Sequence, residues 1–170
     1  EGGGFKNPND VASMVLLPLV RSKVDVPIVA AGGFTDGKSM AAAFALGAEG
    51  VQMGTRMVAA LESPVHENWK SAIVTSQETD TVFLNRFHSP ALRALRTERS
   101  SRLEKMVDEN IMPEFGNSRD LYFGGDMESA IALSGQVAGR IEDVKPVAEI
   151  LEETKKEFFE TMKALSSQYL

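Results

Sequence analysis

Two pairs of residues carry the strongest chemical signal in this chain: Gly32-Gly33 in VDVPIVAAGG and Gly54-Thr55 in GVQMGT. Each pair closes an apolar, strand-like run and precedes a stretch with helical character. A glycine turn leading into a helix start leaves backbone N–H groups pointing outward, and together with the helix dipole they attract an anion. Two such loops from neighbouring strands make a phosphate cradle, with the Thr55 hydroxyl as an additional polar group. Either loop taken alone is equally well read as a tight βα turn holding nothing. A third glycine cluster, Gly2, Gly3 and Gly4, is followed by Phe5. Glycines bury no side chain and are entropically costly to order, so this segment must either turn sharply or let something approach its backbone closely.

The elements that would position these loops can be read from the pattern around them. Val11–Arg21 is an apolar run of helical length, interrupted by Pro18. Val26, Ile28 and Val29 are β-branched, Pro27 suits a strand start, and the continuous apolarity predicts a strand buried on both faces of a parallel sheet. Thr35 or Asp36 can cap a short Ala-rich helix that Gly47 ends. Strand, short helix and strand at this spacing predict a right-handed βαβ unit with parallel strands. The small residues Ala41, Ala42, Ala43 and Ala45 allow that helix to approach a strand layer closely.

Further along, His66, Trp69 and Ile73 fall on one helical face, which reads His66 as a partly buried structural residue. TDTVFL is a short strand or extended loop, FGGD a turn, and Met127–Gly139 a helix with glycines in its last turns. From Val144 onward, Val147, Ile150, Leu151, Phe158, Met162 and Leu165 mark a long amphipathic helix packing on the outside of the body. There is no internal repeat and no low-complexity segment.

Composition narrows the function classes. The chain has 170 residues, 43% hydrophobic and 25% charged, which is the make-up of a globular protein. No stretch reaches the roughly 20 apolar residues of a membrane span, and no signal-peptide pattern is present, so a cytoplasmic setting without membrane partners is expected. The absence of cysteine excludes disulfides, thiolate metal sites and a cysteine nucleophile, and no metal site is expected. A net charge of −6 argues against nucleic-acid binding. The basic residues Arg93, Arg96, Arg99, Arg102 and Lys105 would spiral around a helix instead of forming one stripe, as an ion-paired, solvated surface does. The three-glycine dinucleotide fingerprint and the P-loop Gly-Lys-Ser/Thr are both missing. What remains is the phosphate site of a (β/α)8 barrel, built from the loops after its last two strands.

VPIVAAGGFTDGKSMAAAFALGAEGVQMGTRMVAALESP resembles the C-terminal βα units of the nitronate monooxygenase family, formerly 2-nitropropane dioxygenases, which includes flavin-dependent enoyl-ACP reductases. EGGGF is similar to that family's E-x-G-G-H segment, ETDTV to its loop after the last barrel helix, and SGQVAG to its Gly-Gln segment near the flavin. The resemblance covers most of the chain.

It implies an α/β fold: the C-terminal portion of a (β/α)8 TIM barrel with additional C-terminal helices. Residues 1–62 would hold the last βα units, 63–143 a small helical cap, and 144–170 the amphipathic helix packing on the barrel. A full barrel takes about 250 residues. The resemblance further implies FMN as cofactor, contacted by Gly33, Gln52, Met53, Gly54 and Thr55, with the phosphate on the Gly32-Gly33 and Gly54 loops. Gly3 would lie against the flat isoalloxazine, where a Cβ has no room, with Gln136 in the flavin neighbourhood. Phe5 stands where the family has its catalytic His, so no catalytic residue is assigned.

The function implied is oxidation of alkyl nitronates with dioxygen, in a protein with small-molecule partners and possible homodimerisation. An FMN- and NAD(P)H-dependent enoyl-ACP reductase is the nearest alternative. Its chemistry needs a proton donor, and Phe5 counts against it. A non-catalytic flavin- or phosphate-binding barrel fragment is the alternative from another class. His66 and His88 lie far along the chain in segments read as structural.

Overall fold

The computed structural model describes residues 1–9 and 11–169. The expected βαβ unit is present. Strand β2 (Val29–Ala31), helix α2 (Gly37–Ala45) and strand β3 (Gly50–Gln52) follow one another. The strands pair in parallel, with Val29 opposite Gly50 and Ala31 opposite Gln52. Asp36 caps α2 by accepting from the Ser39 N–H, and the Ser39 hydroxyl reciprocates towards the Asp36 backbone, which satisfies N-terminal donors in the manner of a capping box. Gly47, at φ +99°, follows the helix end as expected. Phe34, Ala30, Ala43, Ala48 and Leu17 of α1 (Ser13–Arg21) form the core of this unit. Pro18 does not interrupt α1: the helix runs through it, and the Pro18 carbonyl accepts from Ser22 N–H at 3.0 Å.

The expectation of a strand buried on both faces is not met, since Val29 is 63% exposed. Among the described residues β2 pairs only with β3, so one edge and much of one face have no covering element. The fold is α/β, but the described residues form two separate sheets and no closed barrel.

The second sheet is antiparallel, in the order β1-β5-β4. Strand β1 (Gly4–Lys6) is the end of the N-terminal glycine run, β4 is Thr81–Leu84 and β5 is Ala91–Leu95. Phe5 lies opposite Leu92, and Gly4 opposite Arg93. The stretch 63–143, expected as a helical cap, contains helices α4 (Glu67–Val74) and α5 (Glu98–Leu103), but it also supplies two of the three strands of this sheet. The basic residues from Arg93 to Lys105 are therefore split between a strand, a turn and a short helix. ALRAL is made of helix formers, yet it is a strand because both of its neighbours in the sheet and a buried face hold it there. Tertiary pairing overrides weak local propensity.

Met127–Gly139 is likewise not a helix. Its backbone groups are committed to other segments: Leu95 N–H donates to the Ala132 carbonyl (2.9 Å), and Ile131 N–H donates to the Phe115 carbonyl (3.0 Å). Ala130, Ile131 and Ala132 are all buried, which a one-sided helix could not achieve. Residues 127–129 form a turn, 130–135 run without helix, and a 3-10 turn, Gln136–Arg140, follows. Around it two further cores assemble, one on Trp69, Ile73 and Leu121, the other on Leu84, Leu92, Leu103 and Ile111.

The C-terminal helix α6 (Val147–Tyr169) is long and amphipathic as expected, and it lies against α2. Its backbone comes so close that a Cβ on Gly37 would overlap Phe158 N and the Thr154 carbonyl. Phe158 meets Phe44 edge to face at 5.1 Å.

Candidate functional site

At the carboxyl ends of β2 and β3 lies a cleft of about 380 Å³, within the size range of small-molecule sites. Such a position is where parallel α/β folds place their ligands. Its walls include Gly3, Gly32, Gly33, Gln52, Gly54 and Thr55, so the structure brings together six of the seven residues singled out from sequence. The seventh, Met53, does not line the cleft; it is the residue on which helix α3 (Gly54–Val58) starts. Gln136 is also outside. Its N–H donates to the Glu1 carbonyl at 2.9 Å, and its side chain borders a neighbouring, more apolar depression.

The glycines serve different ends. Gly2 packs on Gly32: a Cβ on Gly2 would sit 2.8 Å from Gly32 Cα. A Cβ on Gly3 would come within 2.6 Å of Gly135 N, and one on Gly135 would reach the Glu1 carbonyl oxygen at 2.8 Å. The N-terminal glycines thus interleave their backbone with two other glycine segments. This corrects the sequence expectation for Gly3, whose missing Cβ is already required by the Ser134-Gly135 backbone. Gly54 is the opposite case, because a Cβ there would meet none of the described residues within 4 Å. No packing demand explains Gly54, which borders open space in the cleft.

The two helix starts also differ. At α2 the N–H groups are already engaged. Ser39 N donates to Asp36, while Gly37 N (2.8 Å) and Lys38 N (3.3 Å) donate to the Glu157 carboxylate from α6. The expectation of unpaired donors at both loops is therefore corrected: two carboxylates occupy the α2 end. Helix α3 has no side-chain cap. Beside it the Thr55 hydroxyl accepts from Gly135 N–H at 2.9 Å, tying the second loop to the SGQVAG segment. The next residue, Arg56, is buried, and its guanidinium holds Asp143 and the Ala59 carbonyl.

Phe5 lines the cleft, is 60% exposed, and stacks on Phe115 with the rings 14° from parallel. Neither histidine comes near. His66 is half-buried and caps α4 by accepting from Asn68 N–H (3.1 Å), while His88 sits by the Asp108 carbonyl. The residue that sequence reasoning missed is Lys6, the one charged residue among the described residues lining the cleft. It follows Gly2–Gly4 closely in the sequence, and its place beside the cleft depends on the pairing of β1 with β5.

A second cleft, of about 410 Å³, lies between α6 and the 140–145 segment, away from the glycine loops. Its charges largely satisfy one another. Lys145 lies within ion-pair distance of Asp143, Glu149 and Glu153, and hydrogen bonds to Glu153 and Asp143 hold its ammonium above the ordinary lysine range. Arg140 pairs with Asp36 across the same rim.

Fold and cleft together define an α/β protein whose concave, glycine-lined site sits at the carboxyl edge of parallel strands. The chain belongs to the nitronate monooxygenase family, whose model matches residues 1–157. It is 43% identical over 104 residues to a (3aS,4S,5R,7aS)-5-hydroxy-7a-methyl-1-oxo-octahydro-1H-indene-4-carboxyl-CoA dehydrogenase of Rhodococcus jostii, covering 61% of this chain and 29% of that protein. It is 38% identical over 99 residues to a probable nitronate monooxygenase of Staphylococcus saprophyticus, covering 58% and 28%. Among solved structures, FabK from Thermotoga maritima superposes with a TM-score of 0.91 at 42% identity, covering 98% of this chain and 54% of that one. Nitroalkane oxidase from Streptomyces ansochromogenes gives 0.73 at 27% identity, covering 96% and 50%. The chain thus spans about half the length of these solved neighbours, and its matches to the curated relatives cover less than a third of theirs.

Proposed function

We propose that this chain is part of an FMN-dependent oxidoreductase that oxidises alkyl nitronates with dioxygen. The observation that carries the reading is Gly54: it borders the cleft, packs against nothing a Cβ would disturb, and opens a helix that no side chain caps. A backbone with that freedom suits the close approach of a phosphate, and the residues present fit FMN in this respect. Gly33, Gly54 and Thr55 would hold its phosphate end, with Gly32 and Gln52 beside them. FMN, when bound, supplies electron acceptance and reaction with dioxygen. Gly3 remains part of the wall, although its backbone packing accounts for its missing Cβ.

What the protein supplies is a partly apolar wall. Phe34, Val58, Leu133 and Val137 give the cleft apolar surface, and Phe5 offers a flat apolar face with no proton to give or take. A nitronate arrives already deprotonated and needs no base. The likeness to FabK favours a second reading, an enoyl thioester reductase using FMN and NAD(P)H. That reaction requires a proton for the substrate carbon, and Phe5 cannot provide it.

The test is the visible spectrum of the purified full-length protein, followed by release and identification of the chromophore. A yellow protein releasing FMN, reduced on addition of ethyl nitronate, is expected. A colourless protein that takes up no FMN would refute the reading.

A further inference from the structure

The paired register of β2 and β3 ends at Ala31 and Gln52, where the two glycine loops begin. Beyond it, one segment remote in sequence touches both loops. Gly135 N–H donates to the hydroxyl of the buried Thr55 at 2.9 Å. Five residues on, Arg140 pairs with one oxygen of the Asp36 carboxylate, while the other oxygen accepts from Ser39 N–H at 2.8 Å to cap α2. Asp143 then takes the buried Arg56 guanidinium, through its carboxylate at 3.2 Å and its carbonyl at 2.9 Å. Residues 135–143 thus hold the second loop at two points and the first at one, and Val137 between them lines the cleft. The segment is itself anchored. Gln136 N–H donates to the Glu1 carbonyl, and Gly139 lies too close to the Glu78 backbone to admit a Cβ. The first loop has two residues at positive φ, Gly32 at +96° and Gly33 at +90°, so its backbone is free to rearrange unless its ends are held. Its strand end is held by the Ser13 hydroxyl, which donates to the Gly32 carbonyl at 3.1 Å. Its helix end carries Asp36.

We propose that Arg140 is a positioning residue for the cofactor: its ion pair with Asp36 closes a clasp, residues 135–143, that fixes the Gly32-Gly33 loop against the Gly54-Thr55 loop. The inference rests on the functional reading above and deepens it. Two loops that share one phosphate bind it tightly when their separation is set beforehand, because ordering them during binding subtracts from affinity. Arg140 acts through Asp36. The Glu157 carboxylate and the Asp36–Ser39 capping box keep α2 in place when the Arg140 side chain is shortened.

The test uses the full-length protein stripped of flavin. FMN affinity is measured by fluorescence titration for the parent, Arg140→Met, Arg140→Lys, Asp36→Asn and the double variant Arg140→Met/Asp36→Asn. Asparagine still caps the helix but lacks the charge that Arg140 pairs with. Urea denaturation of each flavin-free protein and amide hydrogen exchange of residues 32–38 accompany the titrations. Affinity should fall roughly 5-fold in Arg140→Met and in Asp36→Asn, the upper worth of a partly exposed ion pair. The double variant should be no worse than either single one, since both remove the same interaction, and Arg140→Lys should recover most of the loss. Exchange at residues 32–38 should be faster in Arg140→Met. A variant that loses stability yet binds FMN as tightly as the parent would overturn the proposal, because a purely structural pair behaves that way. So would losses that add in the double variant. Failure of the parent to bind FMN would instead refute the functional reading; exchange then decides the clasp, faster exchange in Arg140→Met supporting it and unchanged exchange overturning it.

Discussion

The Glu157 carboxylate of α6 accepts hydrogen bonds from the backbone N–H groups of Gly37 and Lys38 at the start of α2. A residue near the end of the chain thereby caps the helix that follows the first glycine loop, and the charge of Lys38 lies 3.5 Å from the same carboxylate. Contact at this point is backbone to backbone, which is why position 37 has no room for a side chain.

Removing this cap should cost stability. Glu157→Ala is expected to lower it by about 1 kcal/mol, the usual worth of a helix N-cap, with Glu157→Gln losing less because an acceptor remains. Gly37→Ala should cost more, about 1–3 kcal/mol, since its Cβ must push α6 away. Urea denaturation of the full-length protein checks both. A Gly37→Ala variant as stable as the parent would show that α6 does not dock as described.

Gly54→Val is the clean test of the cleft. Its Cβ would meet none of the described residues within 4 Å, so the melting temperature should be almost unchanged while FMN content falls. Gly33→Val should lower FMN content too, but position 33 has φ +90°, so the variant also carries backbone strain. Full flavin content in Gly54→Val would move the phosphate site elsewhere.

Phe5→His should narrow the preference for an ionised substrate. The parent is expected to reduce its flavin with ethyl nitronate and to turn over neutral nitroethane poorly, since one missing acid or base typically costs about 10²- to 10⁴-fold. Histidine at position 5 can remove the carbon-bound proton and raise the nitroethane rate. Equal use of both substrates by the parent would sink the idea.

Lys145 gives a pH dependence with a definite sign. Hydrogen bonds to Glu153 and Asp143 raise its pKa above the ordinary 10.5. Its stabilising contribution is therefore complete below 10.5 and is lost as pH rises through the higher folded value. Lys145→Met should flatten the alkaline limb of a melting-temperature profile and leave the neutral plateau little changed, because the pairs are solvent-facing and weak. An alkaline limb identical in both proteins would exclude this role.

What the sequence by itself determined is local in origin. AAGG and QMGT end strands because β-branched runs stop at glycines, and Asp36 caps α2 because a short carboxylate fits that geometry. The αβ alternation in residues 26–58 therefore places both glycine loops on one edge, and Gly32, Gly33, Gln52, Gly54 and Thr55 reach the cleft through it. The tertiary structure decided whatever depended on partners remote in sequence. ALRAL became a strand because β1 and β4 hydrogen-bond to it on either side, and residues 130–135 stayed out of a helix because Leu95 N–H donates to Ala132 and Ile131 N–H to Phe115 across the chain. Gly3 needs its missing Cβ for Ser134-Gly135, and Glu157 occupies the α2 donors from the far end of the chain. Phe5 stands opposite Leu92 and Lys6 opposite Ala91 because β1 pairs with β5 in one register, and a shift of a single residue would exchange their faces.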